Sequence, residues 1–342
     1  MQKDKRLVVA FLVVIFGVFL CIPSKFVLVK MGIMSMNMDN FSEYKGKNEK
    51  NIVDKLNNIV GKMEKTLENK VTNYFPLYNE LNTFYQNVNF SSNKLLFKDV
   101  PLKTNSDGEY IFYDKVNEFY YLTNKYSDEE LDVRLEKQVK FFNELSNEGI
   151  NVNIYIPTRY EFTKLKENNL NGYIDEFVNK LDSKINTRVM NVTSIDEYKK
   201  YFYKTDHHWT IYGALDGYQD ICDMLGIQKL NDLNALEHKE KKYYGSLAKT
   251  ALNDSINDYI SDVDIKLDYD VYVNGKEADK LFKPREIRLD RDYKYYDYYV
   301  QYFNGQYGNV VYDYHNENKE NLLIIGDSYS WQIDYLIASS FN

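Results

Sequence analysis

Apolar residues recur at spacings of three and four along SDEELDVRLEKQVKFFNELSNEG, Ser127 to Gly149, the pattern of an amphipathic helix. Ser127 and Glu130 stand at capping-box spacing, and Gly149 supplies the stop. VNIYIP, Val152 to Pro157, reads as a short buried strand, NGYIDEFVNKLDSKI as a second helix, and RVMNV, Arg188 to Val192, as a second strand. Strands and helices alternating at this spacing imply right-handed crossovers and an α/β fold, a parallel sheet with flanking helices. TIYGALDGYQDICDML, Thr210 to Leu225, predicts another helix. Residues 258–313 then turn rich in Tyr, Val and Asp, with a turn signal at Val273 to Gly275, and predict a β-rich insertion of antiparallel strands. At the end, NLLIIGDSYSWQIDYLIASSF predicts a fully apolar buried parallel strand, a tight turn at Gly326 and an apolar-striped helix.

Upstream, the pattern sets the topology. Lys3, Lys5 and Arg6 precede LVVAFLVVIFGVFLCI, Leu7 to Ile22, which carries no charge. The run is somewhat short for a span of about 20 residues, and FVLV at Phe26 to Val29 extends it. No small-x-small cleavage site follows and Leu20 before Cys21 does not suit a lipoprotein signal, so 1–30 is read as an uncleaved transmembrane signal anchor rather than a cleaved signal peptide. Basic residues before the run place the N-terminus in the cytoplasm and the remainder outside the cell membrane. Residues 31–51 are polar and aperiodic, a linker. From Ile52 to Val71 an amphipathic stripe opens the extracytoplasmic domain, 52–342, as a helix packed on the domain or forming a stalk.

Composition narrows the function classes. With 33 Tyr and 19 Phe and an ordinary charged fraction of 27%, the chain has the apolar material to fold. A net charge of −8, without a basic stripe, argues against nucleic acid as a partner. Cys21 lies within the apolar run, so Cys222 is alone in the exported part and forms no intramolecular disulfide there.

Two short segments carry chemistry. In LLIIGDSYS the apolar strand ends at Gly326, and a helix entering after Ser328 directs free N–H groups toward the turn, where they stabilise an oxyanion. A serine hydroxyl needs a base that is itself oriented by a third group. TDHHWT, Thr205 to Thr210, offers both: Asp206 and His208, two residues apart, project to one side, so that Asp206 accepts from His208 Nδ1 and leaves Nε2 for Ser328. His207 then points elsewhere and, with Trp209, holds the loop's shape. Two other readings stay open: an ordinary structural turn at Gly326, and a metal site at Asp206, His207 and His208. Zinc wants further ligands, and His238, His315 and Cys222 each stand without a partner nearby, so neither a metal nor a cofactor is expected. Tyr293 to Phe303, YKYYDYYVQYF, suits either sugar stacking or strand packing, with packing favoured.

TDHHWT, the glycine-containing YGALDGY behind it and the distant GDSYS together resemble the DHHW protein family, which is similar to the alginate O-acetyltransferase proteins AlgX and AlgJ of the SGNH (GDSL) hydrolase superfamily. VTNYFPLYNEL, DGEYIFY and VNIYIPTRYEF resemble the family's upstream segments more loosely. The resemblance implies an SGNH-like fold with permuted block order, Ser328 as nucleophile, His208 as base and Asp206 as its orienter. Gly245 and Ser246 in YYGSLAK look like the family's small-residue loop, for which an oxyanion or substrate contact is one reading and a simple turn the other. The implied activity is O-acetyl transfer to a cell-surface or secreted polysaccharide through an acetyl-serine intermediate. An acetyl esterase and a non-catalytic glycan-binding or assembly protein are the alternatives. A membrane-bound O-acyltransferase that supplies acetyl is the implied partner. The chain ends at Asn342, where the family implies a further strand and helix, so the C-terminus is read as truncated and residues of such a tail are not assigned.

Overall fold

The computed structural model describes residues 78–341, apart from 105–108, 124–125, 167–169, 171, 279–286, 304–306 and 317–318. The apolar run at Leu7 to Ile22, the linker and the stripe at Ile52 to Val71 lie outside the described residues. Among the described residues, no helix is long and apolar enough to cross a membrane. The described residues from Gln86 onward form one compact unit, and the site considered below lies in it.

Helix α1 (Tyr78–Leu96) leads into an antiparallel meander of β1 (Asp99–Thr104), β2 (Tyr110–Asp114) and β3 (Phe119–Thr123). Helix α2 (Asp128–Asn147) follows, and its start has a chemical cause. Ser127 Oγ accepts from Glu130 N while the Glu130 carboxylate accepts from Ser127 N at 2.9 Å, the reciprocal capping box that the sequence predicts. Leu131, Leu135 and Val139 form its buried stripe. Strands β4 (Asn153–Ile156) and β5 (Asn186–Val189) pair in parallel across a crossover containing α3 (Tyr173–Lys180). The helix and strand alternation is therefore present, but this parallel sheet has two strands.

Helix α4 (Ile195–Tyr201) and helix α5 (Ile211–Leu225) flank the TDHHWT loop. Thr210 caps α5 by accepting from Gly213 N, and Gly226 closes it in the left-handed region that favours glycine (φ 67°). Ile211, Ala214, Tyr218 and Cys222 bury one face of α5 in the main core. Gly217 permits that packing, because a Cβ there would stand 2.8 Å from the Trp209 ring. Strand β6 (Asn234–Tyr243) pairs antiparallel with β7 (Asp258–Asp264), with the short helix α6 (Ser246–Ala251) between them. A further antiparallel sheet has the order β10 (Val310–Asp313), β8 (Asp270–Val273), β9 (Lys276–Glu277), turning at Asn274 and Gly275, both at positive φ. The predicted β-rich insertion is thus antiparallel, but β7 takes its partner from before residue 258.

Two predictions near the end of the chain are corrected. Leu322 to Ile325 form no strand, and Leu323 and Ile325 are 80% and 79% exposed. An apolar run states a demand for burial but names no neighbouring edge to pair with, and no strand pairs with it among the described residues. The predicted single helix is a 3-10 turn (Ser328–Gln332) followed by α7 (Asp334–Ala338). Tyr293 to Phe303 is likewise not a strand: Tyr299–Tyr302 is a 3-10 turn. Its tyrosines are nonetheless core residues, Tyr295, Tyr298, Tyr299 and Tyr302 all being buried, so aromatic content signalled burial but not backbone shape.

Candidate active site

The TDHHWT loop is pinned at its neck. Tyr203 N donates to His208 O (3.1 Å), and Thr210 N donates to Tyr201 O (2.8 Å), so the segment from Tyr201 to Thr210 closes on itself between α4 and α5. Trp209 anchors the loop in the core, edge-on to Tyr329 with ring centroids 5.4 Å apart. The buried Asp258 carboxylate holds the other side, accepting from Thr205 N and Thr205 Oγ1, each at 2.7 Å, and from Lys204 N at 3.1 Å.

Helix α6 then docks on this loop through its free N–H groups. Ser246 N donates to Asp206 Oδ2 at 2.6 Å, while Leu247 N and Ala248 N donate to Thr205 O. Gly245 N donates to Thr205 Oγ1 at 3.0 Å. The orphan donors of a helix start are thereby satisfied, and their partial positive charge faces the Asp206 carboxylate. This geometry corrects the reading of Gly245 and Ser246 as oxyanion donors: both amides hold the aspartate loop instead.

Asp206 is fully enclosed by donors. Besides Ser246 N, its Oδ2 accepts from the Tyr243 hydroxyl at 2.6 Å. Its Oδ1 faces His208 Nδ1 at 2.7 Å and accepts from His208 N and Ser246 Oγ, each at 3.1 Å. Burial alone would push this carboxyl up. The charge and hydrogen bond of His208, then His207 and the Tyr243 hydroxyl, outweigh it and hold Asp206 well below the usual carboxylate range. Burial, followed by the charge of Asp206, raises the Tyr243 phenol well above its ordinary value, so it stays a donor.

Across the imidazole, His208 Nε2 lies 2.7 Å from Ser328 Oγ. Ser328 begins the 3-10 turn, capped by Asp327, whose Oδ1 accepts from Tyr329 N at 3.0 Å and whose carbonyl accepts from Ser330 N at 3.1 Å. Gly326 is required beneath this cap, since a Cβ there would meet Ser330 Oγ at 2.9 Å. With the next two amides engaged, Ser328 N is the turn's first N–H, and it has no acceptor among the described residues. The structure therefore brings Asp206, His208 and Ser328 into one line, although 120 residues separate the last two.

His207 turns the other way. Its Nδ1 meets Ser246 Oγ at 2.8 Å, its carbonyl accepts from the Tyr329 hydroxyl, and its ring lies against His208 at 3.9 Å. Burial of most of its ring, then the neighbouring His208, pushes its imidazole down to about 3. Asp206, His207 and His208 are the cluster of possible metal ligands among the described residues. The donor set does not suit a cation, because both nitrogens of His208, both Asp206 oxygens and His207 Nδ1 are already held by protein groups.

Three tyrosines of the site escape sequence reasoning. Tyr243 binds Asp206, Tyr329 binds the His207 carbonyl, and Tyr299 stacks on His208 with centroids 3.8 Å apart and planes 10° apart. In a chain with 33 tyrosines their residue type carries no signal. The immediate neighbourhood of GDSYS could have flagged Tyr329 alone.

The fold is mixed α/β, and its site is a serine–histidine–aspartate constellation. Among solved structures, the chain is similar to Bacillus cereus PatB1 carrying a sulfonyl adduct, at a TM-score of 0.52 and 18% identity over 70% of this chain and 84% of that one. It also matches a DHHW family protein from Eubacterium siraeum, with a TM-score of 0.48 and 17% identity over 70% and 81% of the two chains. Comparison of the sequence with protein-family models and with curated proteins finds no match.

Proposed function

We propose that this protein is an SGNH-type O-acetyltransferase, with Ser328 as nucleophile, His208 as general base and acid, and Asp206 as the group that orients and charge-stabilises His208. The observation that carries the reading is the Asp206–His208–Ser328 line, 2.7 Å at each link. Such short links suit proton transfer from a hydroxyl to an imidazole whose second nitrogen faces a carboxylate.

In the first half-reaction Ser328 Oγ attacks the acetyl carbonyl and its proton passes to His208 Nε2. The carbonyl electron pair moves onto oxygen, and the Ser328 N–H is the amide nearest to hand to receive that charge. Collapse of the tetrahedral intermediate expels the donor's leaving oxygen, which takes the proton from His208. In the second half-reaction a sugar hydroxyl gives its proton to His208 and attacks acetyl-Ser328. As the resulting tetrahedral intermediate collapses, the bond to Ser328 Oγ breaks, the oxygen takes the proton back from His208, and the acetyl ester of the glycan is released. Water in place of the sugar gives hydrolysis by the same steps, so the acceptor alone separates a transferase from an esterase.

The substrate class, a polysaccharide outside the cell membrane, rests on the resemblance of TDHHWT and GDSYS to the DHHW family and on the charged-then-apolar N-terminus. The family resemblance is also what supports a membrane-bound O-acyltransferase that delivers acetyl as the proposed partner. The test is acetate release from a chromogenic acetyl ester by the wild type and by Ser328→Ala, repeated with oligosaccharide acceptors. The proposal expects loss of activity in the variant and acetylated glycan with the wild type. Wild-type rates in Ser328→Ala would overturn the catalytic assignment and leave glycan binding as the better reading.

A further inference from the structure

His208 is held on its edge by Asp206 and Ser328, but an imidazole also has two faces. One face is covered by Tyr299, whose ring lies 3.8 Å away and 10° from parallel. The tyrosine hydroxyl continues past the imidazole and donates to the backbone carbonyl of Ser328 at 3.1 Å. One side chain thus touches both the base and the peptide that carries the nucleophile. Resting on the catalytic reading above, we propose that Tyr299 is a positioning residue of the reaction: its ring supports the His208 imidazolium and its hydroxyl fixes the Ser328 peptide.

The physical case starts from charge. When His208 takes the Ser328 proton, a positive charge spreads over the imidazole ring, and the face of a phenol ring carries the negative part of its quadrupole. A cation over that face is attracted more than a neutral ring, so the contact strengthens as proton transfer proceeds. Interactions stronger in the transition state than in the ground state raise turnover rather than affinity. Asp206 meets the same charge from the Nδ1 edge, which leaves the ring face for Tyr299.

Tyr299 is built to stay in place. It is fully buried, its N donates to Asp297 Oδ1 at 3.1 Å, and it packs edge-on to Tyr302 with centroids 4.9 Å apart. Burial keeps its phenol well above the ordinary value, so the hydroxyl remains a donor. An ordinary core tyrosine would account for the burial. It would not require near-parallel alignment with the imidazole together with a hydroxyl bond to the nucleophile's own carbonyl.

The test compares Tyr299→Leu, Tyr299→Phe and a control, Tyr218→Phe, whose hydroxyl accepts from Leu230 N at the far end of α5. Each purified chain is assayed for kcat and KM on a chromogenic acetyl ester, for the rate of Ser328 labelling by a sulfonyl fluoride, and for Tm. Tyr299→Leu should lose kcat by roughly thirtyfold with KM unchanged, a desolvated cation–π contact's share of the barrier, and label correspondingly slowly. Tyr299→Phe keeps the ring and should recover most of that loss, falling about threefold below wild type for want of the hydroxyl bond. Tyr218→Phe should lower Tm and leave kcat alone. A folded Tyr299→Leu with wild-type kcat, or a control Tyr218→Phe that loses as much kcat as Tyr299→Leu at a comparable drop in Tm, overturns the proposal. Should Tyr299→Leu not fold, Tyr299→Phe decides: reduced kcat at wild-type Tm supports the proposal, and wild-type kcat overturns it. Full activity in Ser328→Ala would instead overturn the catalytic reading beneath it.

Discussion

Gly245 lies against Asp206 so closely that a Cβ on the glycine would stand 2.5 Å from Asp206 Oδ2 and 2.8 Å from Cγ. The hydrogen on Gly245 is what lets α6 bring the Ser246 amide onto the carboxylate. Gly245→Ala must push the loop and the helix apart. We expect a stability loss of about 1–3 kcal/mol from overpacking and a larger fall in kcat than that loss explains, because Asp206 is displaced from His208. Urea denaturation and ester turnover on the same protein check both parts. Unchanged turnover would mean that Asp206 does not need its present position.

Asp206→Asn tests the orienting role with little change of shape. The amide nitrogen would replace one acceptor oxygen, facing donors on every side: Ser246 N, the Tyr243 hydroxyl and the His208 ring. The imidazole would lose both its tautomer control and the charge that steadies its protonated form. Turnover should drop by about 10⁴, the loss that accompanies the wrong tautomer in serine triads. Steady-state kinetics at neutral pH read it directly. A loss below tenfold would contradict the assignment.

The low value of His207, about 3, makes stability depend on pH. Its unfolded value is near 6.5, so between these limits the unfolded chain binds more protons and folding stability rises with pH. The His207 contribution therefore lowers the urea midpoint as pH falls from 7 to 4.5. Asp206 acts in the same direction but lower down: its depressed carboxyl contributes stability above its unfolded value of about 3.9, and that stability is lost as pH falls further. The buried carboxyls of Glu161, Asp258 and Asp297, which desolvation raises, act in the opposite direction, so the histidine's share is read as the difference between the wild type and His207→Gln. His207→Gln should flatten the decline, whereas parallel declines in the two proteins would refute this linkage.

Ser127→Ala supplies a change that should leave chemistry untouched. It removes the side-chain half of the capping box at the start of α2, in a part of the chain that contributes none of the site residues. Stability should fall by about 1 kcal/mol, with kcat and KM unaltered. Thermal melts and the ester assay together measure it, and a kinetic defect would show unexpected coupling of α2 to the site.

How far the sequence could be read depended on whether the information was local. The capping box at Ser127, the α5 start at Thr210 and the two-residue step from Asp206 to His208 are local chemistry, and each appears as expected. The pairing of His208 with Ser328 was legible because each fragment lacked what the other supplied. Partners defined only by the fold were not legible. Tyr243 and Tyr299 reach the triad from distant elements, and Ser246 N reaches Asp206 because β6 delivers α6 to the loop. Leu322 to Ile325 depart from expectation for the same reason in reverse: apolar composition predicts a buried strand, yet strand formation needs a neighbour that composition does not name.

The account stands or falls on covalent chemistry at Ser328. The most direct measurement is intact-mass and peptide analysis of the protein quenched in acid within the first turnovers of an acetyl ester. One added acetyl group should appear, located on the peptide bearing Ser328, and should be absent from Ser328→Ala and strongly diminished in His208→Ala. Acetate released at full rate with no acetyl ever found on Ser328, or equal labelling in the Ser328→Ala protein, would contradict it.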